Sequence, residues 1–325
     1  MRVASTPTCC GRRSSKADGV HLAILSARTG WHTDELCRAL AERGHTAVVS
    51  RYEELRASIG GDSASGLQLT SADVRTPDAV LARIIPNGSL EQIIFRLDAL
   101  HWLEARGVPV MNAPKAIERT VDKFYTSALL HDAGLPTPET VVCEDLTTAM
   151  VVVRRMGDVV IKPIFGSMGH GLVRVTDPDV AFRVLRPLEQ TRAVFYVQEA
   201  IDHDGRDIRA FVVGDRVIGA IERRAPPGDW RTNVSRGGSA RAVDLCDADR
   251  DLALRAAAAV GADYAGVDLL PARDGRMFVL EVNGIPGWQG LQRATGIDVA
   301  GMIVEQLTAT AGRVTDRLPC RLSPA

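Results

Sequence analysis

The sequence lacks a long apolar run: nothing in its 325 residues approaches the roughly 20 consecutive apolar residues of a membrane-spanning helix. It also lacks an excess of either charge. Lys and Arg number 39 against 40 Asp and Glu, a formal net charge of −1. No global basic field therefore points to nucleic acid. Cysteine is sparse, with Cys9, Cys10, Cys37, Cys143, Cys246 and Cys320 and no CxxC pair. That spacing excludes a zinc ribbon and a disulfide framework and fits a reduced, cytoplasmic setting. The opening "MRVASTPTCCGRRSSKADG" carries positive charge but no apolar stretch, so it does not read as a secretory signal. Residues 1–19 read as a flexible tail, and there is no internal repeat. What is present is ordinary for a soluble globular protein: 46% hydrophobic and 24% charged residues. The length suits two or three packed subdomains.

The pattern opens as β-α-β. "VHLAILSA" reads as a buried strand, and "HTDELCRALAERGH" as a helix with Thr33 as N-cap and Gly44 as stop. "TAVVSR" reads as the next strand, which implies a parallel sheet. "RASIGGDSASG" reads as a loop, "AVLARII" as a strand, "SLEQIIFRLDALHWLEARG" as an amphipathic helix and "VPVMN" as a short strand. Residues 20–117 thus form an open α/β domain. One helix, "ERTVDKFYTSALLHDAG", follows and carries Lys123. Beyond it strands dominate, flanked by helices in α+β fashion. An Ala-rich helix covers "DADRDLALRAAAAVGAD", and a last helix spans about Val299 to Ala311.

Chemistry concentrates in the second half. "IKPIFGSMGHGLVRV" sets Lys162 at a strand end and Gly166, Gly169 and Gly171 before the next strand. Glycines there let backbone N–H groups close over phosphate oxygens. The same segment reads equally as a glycine-rich hairpin loop, and strand-loop-strand is not a dinucleotide fingerprint. "VFYVQEAID" brings Gln198 and Glu199 to a strand exit, where backbone can pair with an adenine edge. "HDGRDIRAFVVGDRVIGAIERRA" reads as a hairpin turning at Gly214-Asp215. Its inward alternation takes in Asp207, Arg209, Glu222 and Arg224. Charges that dense in apolar strands pair with one another or bind a ligand. "GDWRTNVSRGG" is a donor-rich loop or an ordinary surface loop. "YAGVDLLPA" ends a strand with Asp268, and "LEVNG" returns beside it with Glu281 and Asn283 two residues apart, on one strand face. Alone, that pair is either a polar strand edge with an Asn-Gly turn or a hard-cation site for a metal-bound nucleotide.

Together these segments resemble the RimK-type branch of the ATP-grasp ligases. The likeness rests on "VDKFYTSALL", "VIKPIFGSMGHG", "VQEAI", "RDIRAFVVG", "IERRAPPGDWRTNVSRGG", "YAGVDLL" and "LEVNGIPGWQG", and spans roughly Glu118 to Leu307. It departs at "NGIPGW", where relatives often have Asn-Ala or Asn-Ser before Pro-Gly, and at Met168 and His170 in the glycine loop. The resemblance implies an α/β and α+β chain with an ATP-grasp fold. An N-terminal open parallel-sheet domain (20–117) would precede two α+β subdomains enclosing ATP (118–197 and 198–312) and a tail (313–325). It implies ATP and two Mg²⁺ or Mn²⁺ ions. Lys123, Lys162 and the loop residues Gly166, Ser167, Gly169 and Gly171 would meet phosphates, with Arg231, Thr232 and Asn233 near them. Gln198, Glu199, the Ala200 and Ile201 backbone and Asp207 would hold the adenosine. Asp268, Glu281 and Asn283 would ligate metal.

The implied reaction joins a carboxylate and an amine through an acylphosphate, releasing ADP and phosphate. Arg209 and Arg231 are the catalytic candidates, with Arg209 stabilising the tetrahedral oxyanion. Arg209 and Arg224 are the substrate candidates, Arg224 for an amino-acid carboxylate. The implied partners are L-glutamate and a carboxylate-bearing acceptor, in a homo-oligomer. "SLEQIIFRLDALHWLEARGVPVMNAPKAIERTVDKFYTSALL" is most similar to the tetrahydromethanopterin glutamate ligases. Other branches act on a protein C-terminus or an amino-group carrier protein. A kinase or carboxylase, or a nucleotide-binding module without ligase activity, would share the ATP site.

Overall fold

A computed structural model describes residues 19–60, 66–69, 77–166, 170–232 and 238–315. In chain order its elements open with β1 (His21–Ser26), α1 (Trp31–Glu42), β2 (Thr46–Arg51), β3 (Arg56–Ser58), β4 (Gly66–Gln68), β5 (Ala79–Ala82), α2 (Leu90–Ala105) and β6 (Val110–Met111). These build a four-stranded parallel sheet in the order β2-β1-β5-β6. β1 and β5 are buried along their whole length, as a parallel sheet covered on both faces requires.

Three local expectations change. Gly30, not Thr33, is the N-cap of α1. Thr33 sits one turn inside, where its Oγ1 accepts from the Gly30 N–H at 2.8 Å and donates to the Gly30 carbonyl at 2.7 Å. Part of the expected loop "RASIGGDSASG" pairs instead, as β3 against β4. In α2 the core-facing side begins at Arg96 and continues through Ala99, Leu100 and Leu103, while Leu90, Ile94 and Phe95 face solvent.

The chain continues with α3 (Pro114–Val121), α4 (Lys123–Asp132), β7 (Thr140–Cys143), α5 (Leu146–Met156), β8 (Val159–Lys162), β9 (Val173–Val175), α6 (Pro178–Gln190) and β10 (Phe195–Glu199). The single helix expected around Lys123 is two. Asp122 leaves helical geometry (φ −93°, ψ 105°), and its side chain accepts from Tyr125 N–H at 3.0 Å, capping α4. The central sheet runs β7-β10-β8-β9, all antiparallel. Its alternation is clean. Val159, Ile161, Phe195 and Val197 pack on α5 and α6 in their own core, and Lys162, Tyr196 and Gln198 take the other face.

The remainder is β11 (Arg206–Val213), β12 (Arg216–Arg224), β13 (Ser239–Ala242), α7 (Asp247–Val260), β14 (Tyr264–Pro271), β15 (Met277–Asn283), α8 (Gln289–Thr295) and α9 (Val299–Thr315). α9 runs four residues past its expected end. The antiparallel sheet β13-β12-β11-β14-β15 buries one face against α7 through Ile208, Ala210, Val267, Leu269 and Val282. Part of its other face joins the N-terminal sheet in a shared core: Phe211 and Tyr264, with Trp288 before α8 and Ile303 of α9, pack with Leu22, Ile24, Leu36 and Leu81. Among the described residues no helix is long and apolar enough to cross a membrane, and Cys37, Cys143 and Cys246 are free thiols.

Candidate functional site

A cavity of about 1230 Å³ opens where the inner faces of the central and C-terminal sheets meet the carboxyl ends of β1 and β5. A volume above the roughly 300–1,000 Å³ of a single-ligand pocket leaves room for more than one substrate.

The central sheet contributes cations. Lys162, half-buried at the end of β8, donates to Gln198 Oε1 at 2.5 Å. Gln198 is itself fixed by Thr140 Oγ1 at 2.9 Å and Tyr196 Oη at 3.1 Å. Burial pushes the Lys162 ammonium down to about 8, against the pull of the Glu281 carboxylate. Lys123, first residue of α4, reaches across to the Gly166 carbonyl at 2.7 Å and the Ile164 carbonyl at 3.3 Å. Burial lowers its pKa too, and Glu281 again opposes. Gly166, Glu199, Ala200 and Ile201 line the same cavity. The Ala200 N–H is already donated to the Asp158 carbonyl at 3.0 Å, so Ala200 itself offers a ligand only its carbonyl. Gly171 follows the cavity at the loop base in a left-handed conformation (φ 76°) that favours glycine. Ser167, Gly169 and Asn233 lie outside the described residues, as do the N-terminal tail through residue 18 and residues 316–325.

The C-terminal sheet contributes carboxylates and arginines. Asp268 on β14 pairs directly with Glu281 on β15, and Gly266 with Asn283, so the three oxygen-bearing side chains share one face. Leu269 then pairs with Val279, skipping Leu280. This bulge turns both Leu280 and Glu281 toward the cavity. Arg209 grips Asp268 through both oxygens, at 2.7 and 2.8 Å, and Arg223 adds a third contact at 3.0 Å. Burial opposes ionisation of Asp268, but the two guanidiniums outweigh it and hold the carboxyl well below its ordinary range. Arg223 also grips Asp207 at 2.7 and 2.6 Å, and Thr232 Oγ1 donates to Asp207 at 2.5 Å. Arg231 lines the cavity and is held by Asp229. Gly266 gives the loop after Asn283 its close approach, since a Cβ there would lie 3.1 Å from Pro286 Cβ.

Arg224 is the correction. It lies on the opposite face of the sheet, outside the cavity lining, and pairs with Glu222 at 2.9 Å. Glu222 faces the same way and is held there by Arg241 and Arg206 as well. The cause is one residue. Val212 pairs with Val217 but Phe211 with Gly219, so Ile218 is a bulge. An unbulged two-residue turn would pair Asp207 with Glu222; the bulge pairs it with Arg223 instead. Arg223 is thus the residue that sequence reasoning missed. Asn112 was missed as well. Fully buried after β6, it accepts from Asp263 N–H at 2.7 Å and Tyr264 N–H at 3.0 Å and donates to the carbonyls of Tyr264 and Gly284. It ties the N-terminal sheet to the loop that follows Asn283.

The donor set suits a hard cation. Glu281 is half-buried, and its carboxylate has neither hydrogen bond nor ion pair among the described residues. Asn283 Oδ1 accepts one bond, from Ile285 N–H at 3.0 Å. Three of the roughly four lone-pair positions of Asp268 are taken by arginine, which leaves one on Oδ1. No cluster of three His, Cys, Asp or Glu suited to a metal occurs among the described residues. The candidate set is two carboxylates and a carboxamide, which suits Mg²⁺ with phosphate oxygens completing it.

Comparison with known proteins gives the family. Residues 20–117 match the RimK PreATP-grasp domain, and residues 120–307 the RimK-like ATP-grasp domain. The chain is 36% identical over 307 residues to tetrahydromethanopterin:alpha-L-glutamate ligase of Methanosarcina acetivorans, covering 85% of this chain and 95% of the relative. It is 34% identical over 303 residues to a probable alpha-L-glutamate ligase of Trichodesmium erythraeum, covering 91% and 99%. The ATP-grasp ligase PsnB, complexed with minimal precursor, Mg and ADP, superposes with a TM-score of 0.69 at 25% identity over 90% of this chain and 98% of that one. The chain belongs to the RimK-like ATP-grasp family.

Proposed function

We propose that the protein is an ATP- and Mg²⁺-dependent carboxylate–amine ligase that adds L-glutamate to a carboxylate-bearing acceptor, of pterin type or similar. One observation carries the reading: a cavity with Lys123 and Lys162 on one wall and Glu281, Asn283 and Asp268 on the other, the wall chemistry that a polyphosphate and its cation require. The names of the relatives support glutamate as the amine donor, and Mg with ADP in the PsnB complex supports the cofactor pair. The three-part division at 20–117, 118–197 and 198–312 belongs to this proposal, as do two divalent ions and a cytoplasmic homo-oligomer.

The lysines hold the phosphates of ATP, and Gln198 keeps the Lys162 ammonium aimed at them. The acceptor carboxylate oxygen takes the γ-phosphoryl group, giving an acylphosphate and ADP. The amine attacks the acyl carbon; the C–O bond to phosphate breaks, phosphate leaves, and the amine loses its proton. Glu281 and Asn283 would hold Mg²⁺, with Asp268 through its remaining lone pair; when bound, the ion would neutralise charge developing on the phosphates. Arg209, with Arg231 near the phosphates, stabilises the oxyanion. Asp268 and Arg223 fix Arg209 in place.

Wild-type protein with ATP, Mg²⁺ and an acceptor carboxylate should form a species that hydroxylamine traps as a hydroxamate. Glu281→Ala should keep the melting temperature of the free protein, lose most of the shift caused by Mg-ATP and show background ADP release. Removing one such ligand costs several kcal/mol of barrier, on the order of 10²-fold or more in rate. Early unfolding or near-normal turnover of this variant would remove Glu281 from the metal site.

A further inference from the structure

The cavity has a second end that the nucleotide chemistry does not use. The parallel sheet changes direction between β1 and β5, since β2 lies on one side of β1 and β5 on the other. Ligands of open α/β sheets sit in the crevice beyond the carboxyl ends of strands at such a switch point. Here the crevice is lined by Arg28, Trp31 and His32 after β1 and by Arg83 after β5.

Its charge is unbalanced. Six arginines line the whole cavity. Arg174, Arg209, Arg223 and Arg231 are paired with carboxylates. Arg28 and Arg83 have no ion pair among the described residues. Arg83 is only 3% exposed, yet its guanidinium donates solely to neutral oxygens, Tyr264 Oη at 3.2 Å and the Pro286 carbonyl at 3.2 and 3.3 Å, and lies 4.7 Å over the Trp288 ring. A desolvated cation without counter-charge is costly. The carboxylates that line the cavity, Glu199, Asp207, Asp268 and Glu281, belong to the central and C-terminal strands. His32 does not alter the balance: burial, then Arg83 and Arg28, push it down to about 4, and its Nε2 accepts from Trp288 N–H at 3.2 Å. It is a neutral imidazole at ordinary pH.

We infer that the crevice between the ends of β1 and β5 is the subsite for a second, non-reacting anionic group of the acceptor, a carboxylate or phosphate, held by Arg83 at the inner end and Arg28 at the outer. The inference rests on the ligase reading. Arg83 is buried and Arg28 exposed, so the crevice runs from interior to surface. An open end suits the acceptor, whose length is unrestricted, better than the compact amino acid.

The test uses the full chain saturated with Mg-AMPPNP, so that phosphate-binding groups are filled. Calorimetry compares N-(4-aminobenzoyl)-L-glutamate, its bis-amide and phenyl phosphate. The wild type should bind one of the anions about tenfold more tightly than the neutral bis-amide. The better anion distinguishes carboxylate from phosphate. Arg28→Gln should cut that preference severalfold and Arg83→Met should abolish it. Arg224→Gln, an equal loss of charge outside the cavity, should change nothing. Equal binding of anion and bis-amide overturns the subsite. So does an unchanged preference in Arg28→Gln, an equal effect of Arg224→Gln, or a loss confined to L-glutamate binding. If Arg83→Met does not fold, Arg28→Gln decides alone. Hydroxamate formation by the wild type with an unchanged Arg28→Gln preference leaves the ligase reading intact and removes the subsite. A preference that Arg28→Gln abolishes, without hydroxamate from any carboxylate, does the reverse.

Discussion

Lys162 links the site to pH. Its ammonium is pushed from 10.5 to about 8 by burial. In the unfolded chain it stays protonated to about 10.5. Between those values the unfolded state binds more protons, so this group makes the free protein more stable as pH rises through 8 and carries its full penalty below. A bound polyphosphate reverses the preference and favours the charged form. Above pH 8, Mg-ATP binding should therefore take up a proton, and its affinity should fall by up to about tenfold per pH unit. Calorimetry in buffers of different ionisation enthalpy measures that uptake; Lys162→Met should bind more weakly and without the pH slope. Asn112 supplies a second test at this scale. Its carboxamide satisfies four backbone groups, three of them buried. Asn112→Ala removes these four bonds and should cost about 2–5 kcal/mol of stability by denaturant titration. A loss under about 1 kcal/mol would mean that water replaces the side chain.

Two elements decide where the charges point. The helix expected to run unbroken through Lys123 is interrupted at Asp122, and the break is what places Lys123 at the first turn of α4, facing the glycine loop. Asp122→Ala removes the cap and should cost about 1 kcal/mol. It should also weaken Mg-ATP binding, because Lys123 loses its fixed start. Thermal shifts with and without Mg-ATP separate the two effects; a destabilised variant with normal nucleotide affinity would show that Lys123 is positioned by the loop alone. The β11–β12 hairpin is the other element. Its turn at Gly214-Asp215 was legible, as was the run of charges. The bulge at Ile218 was not, because β-branched and apolar residues around it fit either register. That one residue exchanged Arg223 for Arg224 in the cavity.

At the scale of the molecule, the first sheet is not packed as a separate unit. Leu22, Leu36 and Leu81 share one core with Phe211, Tyr264 and Ile303. Arg38 bridges α1 to Asp298 at 2.7 Å, and Arg43 reaches Glu305 on α9 at 2.8 Å. The central sheet keeps its own core under α5 and α6. Hydrogen exchange below the unfolding midpoint should show β1, β11 and α9 opening at one common free energy, and β8 with β10 at another. Exchange of β1 independent of β11 would contradict the shared core.

Much of this was determined by sequence alone. The β-α-β opening, the antiparallel strands, and the approach of Asp268 to Glu281 and Asn283 follow from short-range periodicity and turn spacing, which a chain carries locally. Fold family and ligase chemistry were legible for the same reason, in contiguous motifs around Lys162, Asp207 and "LEVNG". Tertiary structure decided the rest. Whether Arg223 or Arg224 faces the cavity depends on a strand partner, not on its own neighbours. Burial of Arg83 without a counter-ion, and of Asn112 across two sheets, arises from contacts more than 150 residues apart in sequence. Periodicity reports which face a residue takes within its own element, and only packing determines what that face meets.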